Sequence, residues 1–294
     1  MNAGARLAIA LLWCVHKLPL AWQTALGGGL GALLHVLARS RRRIALRNVE
    51  LCMPELDERA RRVLVREHFH WLGRSLLDRG LFWFAPRESL ERLIEVEGDV
   101  GLTERTPGPV MWVVPHFVGL EAAGLAVQLF QKRRACDVYT NQSNPVFDLA
   151  IHRGRMRFGD TLLLPRKAGI KPLLRAIRED NLGFFNMPDM DFGAKESDFV
   201  PFFGVPAATL TAPSRLARML GMTVQPVVAE MRDGGGWRVR FLAPLPNWPS
   251  DDALADTVRM NQWIEAEVRR CPAQYLWVHK RFKTRPAGEG PLYG

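Results

Sequence analysis

Residues 110–121 read VMWVVPHFVGLE. The first five residues are apolar and rich in valine, which is typical of a strand buried on both faces. Pro115 fixes the exit from this strand, and Gly119 permits a tight turn into a helix that begins at about that residue. A corner between a strand and a helix is where α/β folds present functional side chains. The stretch therefore predicts an α/β fold with a site at His116 and Glu121.

The alternation of short β-like runs and helical stretches continues along the chain from Val96. A long amphipathic helix over 59–84, stopped by Pro86, precedes it. Such alternation is the pattern of an α/β domain. We expect strands at 110–114, 136–140, 161–164, 183–187, 223–229 and 237–242. We expect helices from about 119 and from about 144, and over 170–179, 212–220 and 251–270.

The composition describes a globular but strongly basic chain. It has 294 residues, with 40 Lys plus Arg against 30 Asp plus Glu, hence a net charge of +10. The hydrophobic fraction of 48% and the charged fraction of 24% argue against a disordered chain and against a polytopic membrane protein. Four isolated cysteines favour neither a disulfide framework nor a zinc site. The chain carries no zinc-finger, aromatic RNA-binding or basic heptad signature, so we expect no nucleic acid partner.

The N-terminal 43 residues are apolar and end in a basic cluster. The uncharged run 18–38 is long enough in principle to cross a bilayer, but a proline and several glycines make it a weak spanning helix. The arginines of 39–43 would be attracted to anionic head groups. We therefore expect a membrane-associating helical segment over 1–43, with its basic flank, and a catalytic domain over 44–294. The alternative is a buried helical pair with a solvated arginine face.

The spacing of His116 and Glu121 restricts how they can meet. On one helix, five residues turn the chain by about 500°, so the two side chains would point about 140° apart. They can meet only if His116 precedes the helix. A neutral imidazole there could take a proton from an attacking hydroxyl while Glu121 holds the ring's tautomer. No serine or cysteine nucleophile is obvious nearby, which favours direct acyl transfer to a substrate hydroxyl. The ordinary alternative is a core histidine satisfied by a surface carboxylate.

Further motifs follow in the order of a known family. They are Asn144-Pro145 with Arg153-Gly154-Arg155-Met156-Arg157, the turn Pro188-Asp189-Met190-Asp191-Phe192-Gly193, the stretch Val200-Pro201-Phe202-Phe203-Gly204, and the ending His279-Lys280-Arg281-Phe282-Lys283-Thr284-Arg285-Pro286. Together with the H-x4-E motif of His116 and Glu121, these motifs match those of the family in the same order, and the similarity covers nearly the whole chain. The chain resembles the lipid A biosynthesis acyltransferases, the lauroyl and myristoyl transferases of the lysophospholipid acyltransferase superfamily.

The resemblance implies a fold, an activity and a location. The fold would be a central mixed sheet flanked by helices, similar to glycerol-3-phosphate acyltransferase. The activity would be transfer of a fatty acyl chain from acyl carrier protein, less often coenzyme A, to a hydroxyl of a lipid A precursor. The enzyme would work at the cytoplasmic face of the inner membrane, against its anionic surface, and would need neither a metal nor a cofactor.

The resemblance also implies roles for six residues. His116 is expected as the general base and Glu121 as its partner. Arg155, and either Asp189 or Asp191, are expected as substrate-binding groups. The spacing from His116 to Arg155 is slightly longer than in the family, so Arg153 is an alternative. An arginine there could bind a phosphate or the tetrahedral oxyanion, unless it only forms a surface salt bridge.

Three alternatives stay open at the level of sequence. Phe202 and Phe203 could line an acyl-chain groove or belong to the core. The same chemistry could act on another membrane lipid, such as a lysophospholipid, a glycolipid or an aminolipid. A non-catalytic membrane-surface protein that binds acyl carrier protein or anionic lipid through its arginines is the third. The Asp-Phe-Gly turn does not indicate a kinase, because the catalytic and phosphate-binding loops of kinases are missing from the sequence.

Overall fold

The computed structural model describes residues 2–294 as a seven-stranded sheet flanked by helices, with a separate two-stranded hairpin. The helices are α1 (Asn2–Val15), α2 (Leu20–Leu37), α3 (Arg39–Cys52), α4 (Glu58–Phe84), α5 (Arg87–Leu93), α6 (Leu102–Arg105), α7 (Leu120–Phe130), α8 (Pro145–Arg155), α9 (Ile170–Asp180), α10 (Ala212–Leu220) and α11 (Ala253–Arg270). The strands are β1 (Ile94–Gly98), β2 (Val110–Val113), β3 (Ala135–Tyr139), β4 (Leu162–Pro165), β5 (Gly183–Asn186), β6 (Asp198–Phe202), β7 (Val205–Thr209), β8 (Thr223–Met231) and β9 (Trp237–Phe241).

The large sheet is mixed, in the order β1-β9-β8-β2-β5-β3-β4. Every neighbouring pair is parallel except β8 and β9, which are antiparallel. This arrangement confirms the expected fold class. All six expected strands are present, with ends within two residues of the predicted ones. Strands β1, β6 and β7 were not among them.

Strand β2 lies at the centre of the sheet and is completely buried. Its Trp112 ring covers Gly183 on β5, where a Cβ atom would come within 2.2 Å of the ring. Burying large apolar side chains in this way stabilises the fold by about 1.5–3 kcal/mol each. The end of β2 is therefore held firmly on both sides. This fixes the starting point of the segment that carries His116.

The hairpin of β6 and β7 turns at Phe203 and Gly204, which both have positive φ values of 51° and 75°. Two such residues in succession are typical of a type I′ turn, in which asparagine usually stands first. Phe203 is held there by contacts with α11. Its backbone N–H donates to Glu265 Oε1 at 2.7 Å, and the Arg269 guanidinium lies 4.9 Å from its ring centroid. Phe202 is fully buried among other aromatic rings, so it belongs to the core.

Helix α2 packs along α4 through glycines. A Cβ atom on Gly73 of α4 would lie 2.2 Å from the backbone nitrogen of Gly31 and 2.4 Å from the carbonyl oxygen of Gly27. The backbones of the two helices are therefore in direct contact. The opposite side of α1 and α2 exposes large apolar side chains, namely Leu7, Leu11, Trp13, Trp22, Leu26, Leu33, Val36 and Leu37. Within residues 2–294, α2 is the one helix with the length and mean hydropathy, 1.2, of a membrane span.

The arginine cluster opens α3, which continues without a break to Cys52. The Arg41 guanidinium donates to the carbonyl of Val278 at 3.3 Å, and that of Arg42 donates to the carbonyl of His35. The expected boundary between residues 43 and 44 thus falls inside a helix. The basic flank is attached both to α2 and to the C-terminal segment after α11.

Candidate active site

His116 and Asp189 meet where two neighbouring parallel strands end. β2 and β5 are paired, and the Val114 backbone N–H continues the ladder to the Asn186 carbonyl at 2.9 Å. The Nδ1 atom of His116 lies 2.6 Å from Asp189 Oδ1, and the His116 backbone N–H donates to Asp189 Oδ2 at 2.8 Å. Two bonds to one carboxylate therefore fix both the backbone and the ring of His116.

Asp189 is ionised behind the imidazole. Its side chain is fully buried, and burial opposes the charge. The attraction and hydrogen bonds of His116, together with the charge of Arg281, outweigh burial and hold the pKa of Asp189 below its usual value. An ionised carboxylate can only accept, so Nδ1 carries the proton and Nε2 is the basic nitrogen. The imidazole keeps 15% of its side-chain surface exposed. It can therefore be reached by a substrate.

The C-terminal segment completes the support of this pair. The Tyr275 hydroxyl donates to Asp189 Oδ2 at 3.0 Å, and the Leu276 backbone N–H donates to the His116 carbonyl at 2.9 Å. His279 lies half-buried nearby, and this burial lowers its pKa to about 4, so it is neutral at physiological pH. Tyr275 was not predicted. Its one signal in the sequence is its position just before the motif that begins at His279.

Glu121 forms a different pair from the expected one. Within residues 2–294 it makes no hydrogen bond to the His116 ring. Its carboxylate binds the Arg155 guanidinium with both oxygens, Oε1 to Nη2 at 2.6 Å and Oε2 to Nε at 3.2 Å. Burial opposes ionisation of Glu121, but Arg155 outweighs it and the pKa of Glu121 is lowered. The same pair raises the pKa of Arg155. Both groups are charged.

Gly119 has a role other than the one we expected. Its φ of −83° is open to any residue, so the turn into α7 does not require glycine. A Cβ atom there would instead lie 2.8 Å from the Ala229 carbonyl oxygen of β8. The glycine is needed because α7 begins in close contact with the sheet. This places Glu121, in the first turn of α7, over the ends of the strands.

The two aspartates, and likewise the two arginines, lie in different surroundings. Of the two aspartates, Asp189 contacts the imidazole. Asp191 accepts from the Thr284 hydroxyl and backbone N–H, both at 2.7 Å, and thereby holds the C-terminal segment. Of the two arginines, Arg155 points inward to Glu121. Arg153 is exposed and forms no ion pair within residues 2–294.

A partly open cavity adjoins the Glu121–Arg155 pair, and its space of about 670 Å³ includes the solvent at its mouth. Helices α4, α7 and α8 and strands β3, β4 and β5 enclose it. Its apolar walls include Trp83, Leu125, Leu163, Phe185 and Met187. Besides Glu121, a second acidic residue, Asp137 of β3, lines it. Neither Phe202 nor Phe203 lines this cavity.

The likeness read from the motifs extends over the whole chain. The family described as "Bacterial lipid A biosynthesis acyltransferase" matches residues 2–284. The chain belongs to this family. The resemblance inferred from the motifs is thus confirmed, and the chain is an O-acyltransferase of lipid A biosynthesis.

Curated relatives of this acyltransferase agree with the assignment. It is 36% identical to the lipid A biosynthesis lauroyltransferase of Escherichia coli K12, over 98% of its own length and 94% of the relative's. It is 32% identical to the palmitoleoyltransferase of the same strain, over 97% and 92% of the two chains. The myristoyltransferase of that strain is 30% identical, over 97% and 88%. These relatives carry different acyl chains in their names, so the family alone does not fix the chain that this acyltransferase uses.

Proposed function

We propose that this acyltransferase moves a fatty acyl chain from the thioester of an acyl carrier protein, or less often of coenzyme A, to a hydroxyl of a lipid A precursor. The observation that carries the proposal is the 2.6 Å contact between His116 Nδ1 and Asp189. It leaves Nε2 as a base at the rim of the site. A general base, together with a cavity beside the Glu121–Arg155 pair that has several apolar walls, suits a hydroxyl acceptor and a fatty acyl donor.

The reaction needs one base and no enzyme nucleophile. The acceptor oxygen attacks the thioester carbonyl carbon while His116 Nε2 takes the hydroxyl proton. The former carbonyl oxygen then carries the negative charge of the tetrahedral intermediate. When the intermediate collapses, the carbon–sulfur bond breaks and the imidazolium returns the proton to the departing thiolate. Asp189 stabilises the imidazolium and keeps its own charge throughout.

Glu121 and Arg155 act together in this proposal. Glu121 orients the guanidinium, whose remaining N–H groups can donate to the developing oxyanion or to a phosphate of the acceptor. The charges of Glu121 and of the protonated imidazole also attract each other, and this attraction contributes to the lowered pKa of Glu121. In this proposal Glu121 therefore supports His116 through its charge, and supports the substrate through Arg155. Arg153, exposed at the same end of α8, is left as a second cation for the acceptor.

The exposed apolar side of α1 and α2 supports a position on the cytoplasmic face of the inner membrane. Leu20, at the start of α2, contacts Gly235 in the turn after β8. Since β8 runs parallel to β2, this turn lies at the same edge of the sheet as His116. The apolar helices therefore flank the site, and a lipid acceptor would reach it from the membrane surface. Because α2 is packed along α4, we propose that it lies in the interface.

Mass spectrometry of reaction products tests the proposal. Purified enzyme in detergent is incubated with acyl carrier proteins bearing several chain lengths, and with acyl-coenzyme A. The acceptors are lipid A precursors, lysophospholipids, glycolipids and aminolipids. We expect a mass gain of one acyl group on a lipid A precursor, lost in His116→Ala and retained in His152→Ala, a control histidine on α8.

The other outcomes are distinct. A gain only on another lipid would keep the chemistry and replace the acceptor. Full activity of His116→Ala would remove the base from the mechanism. Transfer from coenzyme A alone would replace the donor.

A further inference from the structure

Asp137 is a buried acid that the proposed mechanism does not use. It lies on β3, with its side chain 9% exposed in the wall of the 670 Å³ cavity. Its Oδ2 atom is 3.5 Å from Arg155 Nη1, which is a long contact for an ion pair. Its Oδ1 atom is buried and has no hydrogen-bond partner within residues 2–294. One carboxyl oxygen is therefore left unsatisfied beside an open cavity.

Pairing with Arg155 does not account for this oxygen. Arg155 already makes its short bonds to Glu121, at 2.6 Å and 3.2 Å. Burial, only partly offset by Arg155, raises the pKa of Asp137 to about 6, and the like charge of Glu121 adds to the increase. A buried polar group without a partner destabilises a protein. A buried polar group beside an open cavity is satisfied by water or by a polar group of a bound ligand.

The Val138 backbone N–H acts on the Asp137 carboxyl group, but within residues 2–294 no side chain of the wall, Thr161 and Gln128 included, makes a hydrogen bond to Oδ1. Gln128, a polar residue that also lines the cavity, uses both ends of its amide, as a donor to the Arg155 carbonyl and as an acceptor from the Phe158 N–H. Leu125 and Leu163 present hydrocarbon. An unsubstituted fatty chain in this cavity would displace water from Asp137 and supply nothing in its place.

We propose that Asp137 binds a hydroxyl group on the fatty acyl chain, close to its carboxyl end, and so makes a hydroxylated chain the preferred donor. The inference rests on the proposed function, in which the cavity receives the acyl chain. Asp137 and Glu121 contact the same Arg155 guanidinium, and Glu121 lies at the edge of the sheet where we propose that transfer occurs. The hydroxyl is therefore placed near the carboxyl end of the chain.

The recognition works in either ionisation state of Asp137. A chain hydroxyl donates to the carboxylate, or accepts from the neutral acid while donating elsewhere. An unsubstituted chain of the same length leaves Oδ1 both desolvated and unpaired. Sites that hydrogen-bond a substrate hydroxyl discriminate against the analogue that lacks it. We expect kcat/KM to favour the hydroxylated chain by about 10-fold or more.

A competition between matched donors tests the inference. Acyl carrier proteins charged with an unsubstituted, a 2-hydroxy and a 3-hydroxy chain of equal length are mixed, and the products on the lipid A precursor are counted by mass spectrometry. The ratio is measured for the wild-type enzyme, for Asp137→Asn, which keeps a hydrogen-bonding group, and for Asp137→Leu, which does not. Asp160→Asn, an exposed acid paired with Arg134, is the control for loss of charge.

The expected result is a ratio that favours one hydroxylated chain in the wild type, is largely kept in Asp137→Asn and Asp160→Asn, and is reversed in Asp137→Leu. Equal use of all three chains by the wild type would overturn the inference while leaving the proposed function intact. A fall in the rates of all chains by the same factor in Asp137→Leu would show that Asp137 only positions Arg155. No transfer of any chain by the wild type would reject the proposed function itself.

Discussion

Asp189 accepts hydrogen bonds from the His116 ring, the His116 backbone and the Tyr275 hydroxyl. In Asp189→Asn, the amide NH₂ would have to face one of these donors, and the imidazole would lose the charge that favours its protonated form. By analogy with the same substitution in a serine protease triad, we expect kcat to fall by about 10⁴-fold. Steady-state kinetics and thermal unfolding measure the two effects. An active Asp189→Asn enzyme with a normal fold would exclude the His116–Asp189 pair from catalysis.

Asp191 stands two residues further on, and we expect its loss to have a different effect. Its carboxylate accepts from the backbone of Gly193 and from the backbone and hydroxyl of Thr284. Asp191→Ala leaves these half-buried donors without their partner, which we expect to reduce the free energy of unfolding by about 1–3 kcal/mol. Urea unfolding measures the loss. A stable but inactive Asp191→Ala enzyme would instead place Asp191 among the substrate-binding groups.

Asp137 makes the stability of the fold depend on pH. Its pKa is about 6 in the folded chain, above the ordinary 3.8, and Arg155, Glu121 and His116 are the charged groups that act on it. The folded state therefore binds more protons between these values, so stability falls as pH rises from about 4 to about 6. Asp137→Asn removes this dependence of stability on pH. We expect it to be more stable than the wild type at pH 8, by about 1–3 kcal/mol, with the difference shrinking toward pH 4. Urea unfolding at both pH values tests the sign.

At the scale of elements, the contact of α2 with α4 depends on particular glycines. A Cβ atom on Gly31 would lie 2.2 Å from the Phe69 carbonyl oxygen, whereas one on Gly29 would meet nothing within 4 Å. We expect Gly31→Ala to separate the two helices and lower the melting temperature in detergent, at a cost of about 1–3 kcal/mol. Gly29→Ala, its matched control, should leave stability equal or higher, because alanine favours a helix. Equal effects of the two substitutions would contradict the packing.

Elements whose sequence pattern is local could be predicted, and those that depend on tertiary contacts could not. The strands of the parallel core have continuous apolar runs, and their ends were placed within two residues. The β6–β7 hairpin was missed because its turn uses Phe203 in a conformation that usually selects asparagine. The contacts with Glu265 and Arg269 that hold this turn come from a helix 60 residues away in the chain, roughly the length of a small domain.

At the scale of the whole molecule, one part of the candidate site could likewise be predicted from local sequence, and the other part depends on tertiary contacts. The spacing of His116 and Glu121 predicted that both would lie at one corner, and both do. The hydrogen-bond partner of the imidazole could not be derived from spacing, because it depends on which strands are neighbours. Because β5 lies beside β2, Asp189, which is 73 residues from His116 in sequence, makes the hydrogen bond to the ring in place of Glu121. Sheet order is a global property that one motif does not contain.

The position of the molecule on the membrane gives the last prediction. α2 has 18 residues, about 27 Å at 1.5 Å per residue, so a spanning helix would put its two ends near opposite surfaces of the bilayer. One side of α2 is instead in contact with α4, a helix that contains several arginines. The other side of α2 exposes Trp22 and Leu37. A helix held in this way lies along the interface, with both ends at the same depth.

Fluorescent labels on single cysteines distinguish the two arrangements. We place one label at Trp22→Cys or at Leu37→Cys, with the exposed Cys14, the half-buried Cys271 and the buried Cys52 and Cys136 replaced by serine. The enzyme is bound to vesicles that contain anionic lipid. An aqueous quencher added outside the vesicles should reach both labels to a similar extent, and a shallow lipid-attached quencher should quench both. A spanning helix would instead hide one label from the outer quencher. With a net charge of +10, initial binding should weaken as salt is raised, while the apolar side chains of α1 and α2 retain enzyme already inserted.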